Sequence, residues 1–467
     1  MRQTHFALAI LTAAVLSACG SSDGTSPEDQ KLNTTFSSMV SFGDSLADVG
    51  TYGVGAVKVA GGGKFTINGD STTVNATLTG KNWTDLMAKQ FGLPAPCAAQ
   101  TGLDGNAAAG FSVAVVDHPE CLSYAQGGAR VTNPVGPEHK LTGSALGFLT
   151  TPIVTQVTRH LTKTGGKFSG TEVVFVTAGG NDALALLGQL QAGATAAGNA
   201  AGAAEGAKVG AETYISTLVG LLAQTADNPQ SAAQAIGTAV FVESQNPAST
   251  QTSITTVAVG TAMAQPGSDE LQSELVRGSI VVKSRTTAEA AGAAAGLAAG
   301  QKAGAAYAAA QAPVVVTAMG VAGAELAGIV KSMIVAKGAN YVVVNNLPDL
   351  GGSPAGKAQD AATQTLINTM VSTFNAQLLA GVSSEAKVLY VDLFSTSHDQ
   401  IINPGPYGLT NTGTPACTVK SLICTGKTLI AGEVSHFMFA DDTMPTPYEN
   451  SLIAKYVAKQ MIVKGWL

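Results

Sequence analysis

Four short runs of strand-forming residues, each with a glycine, asparagine or aspartate within two residues of its end, constrain the fold of this chain more than any other feature. They are residues 36–43, 172–177, 341–346 and 388–393. Segments with helical apolar spacing lie between them, such as 83–91 and 368–379. Strands that alternate with helices predict a parallel sheet with helices on both faces. We therefore expect a three-layer α/β/α protein.

A long insertion, residues 184–312, separates the second strand from the third. Two Ala/Gly tracts, 191–214 and 288–312, enclose two runs rich in β-branched residues, 239–242 and 252–257. Alanine favours helix, and small residues on facing surfaces allow two helices to approach closely. We predict a helical hairpin that carries a small β element at its tip. A disordered low-complexity linker is the alternative.

Residues 1–18 have the pattern of an export signal. Arg2 supplies a positive charge, and residues 6–16 form an apolar stretch shorter than the roughly 20 residues that a bilayer span needs. The run Leu16-Ser17-Ala18-Cys19 resembles a bacterial lipoprotein box. This resemblance implies a diacylated Cys19 at the mature amino terminus. An ordinary secretory signal cleaved nearby is the alternative.

Residues 19–35 are polar and predict a flexible tether to a single domain over 36–467. The small residues after Cys19 lack the aspartate that resembles an inner-membrane retention signal. We therefore expect a lipid-anchored protein of the bacterial cell envelope, at the outer membrane in a Gram-negative cell.

Charge and cysteine content narrow the functional classes. The chain has 25 Lys and Arg against 31 Asp and Glu, without a basic block, so a nucleic-acid partner has no electrostatic support. An exported compartment permits disulfides, and the four cysteines after Cys19 allow three connectivities. We expect the local pairing, Cys97 with Cys121 and Cys417 with Cys424. Neither pair has metal-ligand spacing or a set of histidine partners, so we expect no metal and no other cofactor.

Ser45 follows the break of the first strand at Gly43. A serine at this point projects from the carboxyl edge of the sheet, where open α/β proteins bind ligands. Ester hydrolysis by a serine also needs a base, a carboxylate that orients the base, and donors for the oxyanion.

Four segments together resemble the conserved blocks of the GDSL, or SGNH, hydrolase family. They are Phe42-Gly43-Asp44-Ser45-Leu46, Gly127-Gly128, Gly180-Asn181-Asp182 and Phe439-Ala440-Asp441-Asp442-Thr443-Met444-Pro445-Thr446. Leu347-Pro348-Asp349-Leu350-Gly351 also resembles the phospholipase and lecithinase-like branch of that family. The resemblance implies a flavodoxin-like sheet and an esterase or lipase that acts on an acyl ester, in a lipid, an acylated glycan or a polyester.

By the same resemblance Ser45 is the nucleophile. Its own amide, the Gly128 amide and the Asn181 side chain are the oxyanion-hole donors, and Asp441 is the acid of the triad. The family pattern Asp-x-x-His-Pro-Thr, however, has Met444 at its histidine position. A thioether is not a base near neutral pH.

Three interpretations of Met444 stay open. His436, on the approach to the same loop, could reach Ser45 in place of the missing histidine. The chain could instead be an impaired envelope protein that binds an ester without cleaving it. Slow chemistry could also persist through Ser45, the oxyanion donors and a carboxylate-bound water.

Overall fold

The computed structural model describes residues 34–69, 74–75 and 77–467. The predicted signal segment 1–18, Cys19 and the tether as far as Asn33 lie outside the described residues. The described chain divides into two compact units. The sheet unit comprises the residues up to Ala183 together with Met319–Leu467, and the helical unit comprises Leu184–Ala318.

The strands belong to the sheet unit. In chain order they are β1 (Met39–Gly43), β2 (Gln100–Asp104), β3 (Ser112–Asp117), β4 (Val173–Thr177), β5 (Tyr341–Asn345) and β6 (Val388–Val391). Four of them form one parallel sheet in the order β1-β4-β5-β6, and β2 pairs with β3 in a separate antiparallel ribbon. Every residue of β1 and β4 is buried, as expected for parallel strands that are covered on both faces.

Helices connect and cover the strands. They are α1 (Gly55–Val59), α2 (Trp83–Gln90), α3 (Ile153–Lys163), α4 (Gly180–Ala223), α5 (Pro229–Ser244), α6 (Gln251–Met263), α7 (Glu274–Ile329), α8 (Pro354–Lys357), α9 (Ala361–Val382), α10 (Leu393–Ile402) and α11 (Pro447–Val463). On one face of the sheet, Trp83 of α2 and Val457 of α11 share a core with Phe175 of β4. On the other face, Phe42 of β1 packs edge to face against His160 of α3. The predicted three-layer α/β/α fold is confirmed.

The register of the sheet brings the strand ends to one edge. Gly43 pairs with Thr177, Thr177 pairs with Asn345, and Asn345 pairs with Val391. The segments that follow these four residues therefore start side by side at the carboxyl edge of the sheet. This is the edge at which α/β proteins of this type bind ligands.

The sheet unit contains two disulfides. Cys97 is bonded to Cys121, with 5.1 Å between their Cα atoms, and Cys417 is bonded to Cys424, with 6.0 Å. These are the two local pairings that the sequence predicts.

The β element predicted within the insertion was wrong. Residues 239–242 lie in α5 and residues 252–257 lie in α6. The Asn228 side chain caps α5, and Thr250 forms a capping box at the start of α6. β-Branched residues reduce helix propensity by less than about 1 kcal/mol each, which the caps and the burial of the apolar face offset. The insertion is helical throughout its two β-branched runs.

The two long helices of the helical unit meet along rows of glycine spaced four residues apart. Gly198, Gly202 and Gly206 of α4 face Gly300, Gly296 and Gly292 of α7. A Cβ atom at Gly202 would lie 2.8 Å from the Gly296 oxygen, and one at Gly296 would lie 2.7 Å from the Gly202 oxygen. The two backbones are therefore too close for any side chain at these positions.

Replacing Gly296 with alanine should destabilise the helical unit by about 1–3 kcal/mol, because the added methyl group meets backbone atoms that cannot move aside alone. Gly278 of α7 is the matched control, since no heavy atom lies within 4 Å of its added Cβ. There alanine should stabilise the helix by about 0.5–1 kcal/mol. Hydrogen exchange of the α4 and α7 amides measures both effects. Equal protection in the two variants would contradict this packing.

One helical stretch of the described residues, 274–337, is long and apolar enough to cross a membrane by length and composition. Half of its most apolar 18-residue segment is buried within the protein, and such burial is also typical of a core helix.

Candidate active site

Ser45 lies in a tight turn directly after β1. The Asp44 amide donates to the Thr177 oxygen at 3.2 Å, the Ala47 amide donates to the Asp44 oxygen at 3.1 Å, and the Leu46 amide donates to Asp44 Oδ1 at 3.1 Å. These bonds fix the backbone on both sides of Ser45. The Ser45 side chain is partly exposed, and its hydroxyl has no hydrogen-bond partner among the described residues.

A second loop runs beside β1 and reaches the same edge. The Gln126 amide donates to the Gly43 oxygen at 3.0 Å, and the Gly127 amide donates to Asp48 Oδ2 at 2.9 Å. Gly128 comes next with a φ of 80°, and a Cβ atom there would lie 2.5 Å from the Pro137 oxygen. Only glycine fits this position without strain.

The backbone amides of Ser45 and Gly128, both at this edge, have no acceptor within the described part of the chain. Backbone N–H groups are normally paired in folded proteins, and unpaired ones beside a serine are available to an oxyanion. The sequence predicted both amides as oxyanion donors, and that role stays a prediction.

Asn181 is buried in the first turn of α4. Its Nδ2 atom donates to the Ala129 oxygen at 2.9 Å, which connects Asn181 to the residue after Gly128. An amide nitrogen carries two hydrogens, so one remains for another acceptor. The predicted third oxyanion donor therefore lies beside the loop that carries the second.

An ion pair that the sequence analysis did not single out joins the same two segments. Arg130 Nε donates to Asp182 Oδ1 at 2.9 Å, and the Val131 amide donates to Asp182 Oδ2 at 3.0 Å. Burial raises the pKa of Asp182, and the Arg130 guanidinium opposes that rise. The sequence contains one signal for this ion pair. Arg130 and Asp182 each lie within two residues of a candidate oxyanion donor, Gly128 and Asn181, and they carry opposite charges.

The Asp44 carboxyl is buried next to the candidate nucleophile. Burial raises the pKa of Asp44 to about 7, and the nearby carboxylates of Asp182 and Asp48 add smaller effects in the same direction. The hydrogen bond from the Leu46 amide opposes the rise. Asp44 therefore changes protonation state close to neutral pH.

The raised pKa of Asp44 predicts a stability that falls as pH rises. Between the unfolded value of 3.8 and the folded value of about 7, the native state holds a proton that the unfolded state has lost. Stability from this group is therefore present below pH 4 and is lost as pH approaches 7. Asp44→Asn removes the titration and keeps an acceptor for the Leu46 amide. Urea unfolding across pH 4–7 should show that the free energy of unfolding depends less steeply on pH in Asp44→Asn than in the wild type. Equal slopes of the two pH dependences would contradict the raised pKa of Asp44.

The loop that contains the predicted acid is held by its own backbone. Asp441 is buried, and its Oδ1 atom accepts from the Thr443 amide at 3.0 Å and the Met444 amide at 2.8 Å. Its Oδ2 atom accepts from the Ser421 amide at 2.8 Å. The Asp441 carboxylate therefore orders the loop through three backbone amides, and Met444 lies three residues along it.

No histidine hydrogen-bonds to Ser45 in the residues that the structure describes. His436 bonds instead to the Ser435 hydroxyl at 2.8 Å, and its ring lies 4.4 Å from the Tyr448 ring. His398 bonds through Nδ1 to Asp349 Oδ2 at 2.8 Å, a pairing that no local sequence pattern indicates. No three His, Cys, Asp or Glu side chains of the described ranges are grouped so as to hold a metal ion.

Comparison with known proteins adds one relative. No family model matches the chain. The chain is similar to the GDSL esterase/lipase APG of Arabidopsis thaliana, with 26% identity over 137 residues. The aligned part covers 26% of this chain and 39% of the plant protein, so less than two thirds of the relative's length is matched. This similarity supports a relationship to the GDSL esterases and lipases and points to a hydrolase.

Proposed function

We propose that this protein is an exported serine ester hydrolase of the GDSL type, with Ser45 as its nucleophile. The single observation that carries the proposal is the pair of unpaired amides, those of Ser45 and Gly128, beside a serine at the carboxyl edge of the sheet. The related plant protein supports the hydrolase class.

In this mechanism Ser45 Oγ attacks the acyl carbon, and the carbonyl oxygen of the ester becomes an oxyanion. The amides of Ser45 and Gly128 and the remaining Asn181 hydrogen donate to that oxyanion. The alcohol then leaves with a proton, and water hydrolyses the acyl-enzyme to release the acid. Each oxyanion donor contributes roughly 3 kcal/mol to such a reaction.

The step that lacks a residue is removal of the Ser45 proton. Met444 cannot accept a proton, and His436 is bonded to Ser435. A positioned base contributes about 10²–10⁴-fold to the rate, so we expect turnover that is slower by this factor than with a complete triad. A water held by a carboxylate is the acceptor in our proposal.

The cellular setting is also part of the proposal. A diacylated Cys19 anchors the protein to an envelope membrane, and residues 19–35 form the tether. The substrate is then an acyl ester that is reachable from that membrane, in a lipid, an acylated glycan or a polyester. The lipoprotein-like run that ends at Cys19 supports this setting.

The experiment is labelling of the mature protein with a fluorophosphonate probe, followed by identification of the modified peptide. We expect the probe on Ser45 of the wild type and no label in Ser45→Ala. The exposed serine Ser112 of β3 provides a matched control, and Ser112→Ala should label like the wild type. Absence of label at Ser45, together with no hydrolysis of p-nitrophenyl acetate, would overturn the proposal.

A second candidate function, an envelope protein that binds esters without cleaving them, is favoured by one observation. Met444 occupies the position of the family's base, and no described histidine bonds to Ser45. Ester binding by a wild type that neither labels nor hydrolyses would select this function.

A further inference from the structure

A buried glutamine side chain holds the end of β1. Gln156 of α3 is only 1% exposed, and its Oε1 atom accepts from the Gly43 amide at 2.8 Å. Its Nε2 atom donates to the Gly43 oxygen at 2.9 Å and to the Thr151 oxygen at 2.8 Å, so both of its hydrogens are used. Gly43 lies two residues before Ser45. Gln156 therefore fixes the backbone from which the candidate nucleophile projects.

A second buried glutamine closes these contacts into a ring. The Gln126 side chain accepts through Oε1 from the Thr151 amide at 2.9 Å, and its backbone amide donates to the Gly43 oxygen at 3.0 Å. These hydrogen bonds form a closed glutamine ring, whose members are Gly43, Gln126, Thr151 and Gln156. Gln126 lies two residues before Gly128. The glutamine ring therefore joins the end of β1 to the loop that carries the Gly128 amide.

The residue before Thr151 has a strained backbone and lies against Gly128. Thr150 has a φ of 47°, in the left-handed region that a β-branched residue seldom adopts. A Cβ atom at Gly128 would lie 2.7 Å from Thr150 Cγ2. A strained conformation of this kind persists only where the surrounding structure holds it. The glutamine ring supplies such support, because it binds both the amide and the oxygen of Thr151.

We propose that Gln156 is a positioning residue of the candidate active site, and that through the glutamine ring it sets the separation of the Ser45 and Gly128 amides. This inference rests on the proposed function, because it takes those two amides to bind the oxyanion. Gln156 acts here through Gly43 and Thr151, and not by contact with the reacting atoms. A misplacement of about 1 Å can cost roughly 10²-fold in rate. Opening the ring should therefore slow the attack by Ser45.

The rate of fluorophosphonate labelling at Ser45 of the mature protein tests the inference. Gln156→Leu removes both polar atoms, so we expect a second-order rate constant at least about tenfold below that of the wild type. The final stoichiometry of labelling should equal that of the wild type. This separates slow attack from misfolding, because a misfolded fraction lowers the amount labelled and leaves the rate of the remainder unchanged. Labelling of Gln156→Leu at the wild-type rate would overturn the inference.

Gln156→Glu gives a second test, which applies even if Gln156→Leu fails to fold. A protonated carboxyl accepts from the Gly43 amide and donates to the Gly43 oxygen, whereas a carboxylate has no donor and faces the oxygens of Gly43 and Thr151. Burial and these two oxygens raise the pKa of the introduced carboxyl above its ordinary value of about 4.3, so it loses its proton, and the ring its donor, as pH rises. We expect the ratio of its labelling rate to the wild-type rate to be close to one at pH 5 and to fall by at least about tenfold by pH 8.

The other titratable groups near the ring are common to both proteins, so the ratio removes their contribution. They are Asp44 beside Gly43, Asp48, which is bonded to Gly127, and Asp117, His118, Tyr124, Arg159 and Lys163, which line a cavity together with Gln156. The matched control is Gln234→Glu, at an exposed glutamine of α5, and it should follow the wild type at every pH. A Gln156→Glu ratio that does not change with pH would overturn the inference alone. A wild type that is never labelled at Ser45 would instead overturn the hydrolase proposal, and this inference with it.

Discussion

Replacing Met444 with histidine should raise kcat/KM for p-nitrophenyl acetate by about 10²–10⁴-fold, the usual contribution of a positioned base. Asp441 is already buried three residues before this position, and its loop is fixed by the amides of Ser421, Thr443 and Met444. Each carboxylate oxygen can accept more than one hydrogen bond, so Asp441 retains capacity to orient an imidazole.

Two controls identify the source of any gain at position 444. Met444→Gln is similar in size but cannot accept the serine proton, so its rate should match the wild type. Adding Ser45→Ala to Met444→His should abolish the gain, because the new base then has no nucleophile to activate. If Met444→His shows no increase, the loop does not hold position 444 as the family resemblance implies.

Removing the Arg130 guanidinium should lower the free energy of unfolding by about 3–5 kcal/mol, which is the usual effect of leaving one member of a buried ion pair alone. The side chains of Arg130 and Asp182 are only 12% and 5% exposed. In Arg130→Met, Asp182 keeps only the Val131 amide as a partner. Urea unfolding followed by tryptophan fluorescence measures the loss, because Trp83 and Trp466 are both buried in the sheet unit.

A double variant separates the ion pair from simple packing. Replacing both partners, in Arg130→Met with Asp182→Leu, removes the isolated carboxylate and should recover most of the stability. A single variant that loses less than about 1 kcal/mol would show that water already solvates this pair.

The sheet could be predicted from the sequence because its evidence is local. Each strand is a short apolar run with a residue unfavourable to strands at or just after its end, and parallel strands place those ends at one edge. Both disulfides were predicted for the same reason, since each joins cysteines that are close in sequence. The prediction of a β element in the insertion failed because a short β-branched run fits either a strand or a capped helix. The caps at Asn228 and Thr250 favour the helix here.

Contacts between distant segments could not be predicted. Glu449 meets Gln400, and Arg130 meets Asp182, only because helices and loops far apart in the chain converge on one sheet edge. The resemblance to a family supplied candidate residues for this edge, but it contains no information on these contacts between distant side chains. The roles of Ser45, Gly128, Asn181 and Asp441 stay predictions until the labelling and substitution experiments are done.

The disulfide between Cys417 and Cys424 makes the support of the loop that carries Asp441 and Met444 depend on redox conditions. The loop that this bond closes contains Ser421, whose amide is the one distant donor to Asp441, whereas the other two donors lie within the same loop as Asp441. A chain with reduced cysteines would hold Asp441 by its near neighbours alone. Oxidation of these two cysteines would then be a step in assembling the candidate site as well as in stabilising the fold.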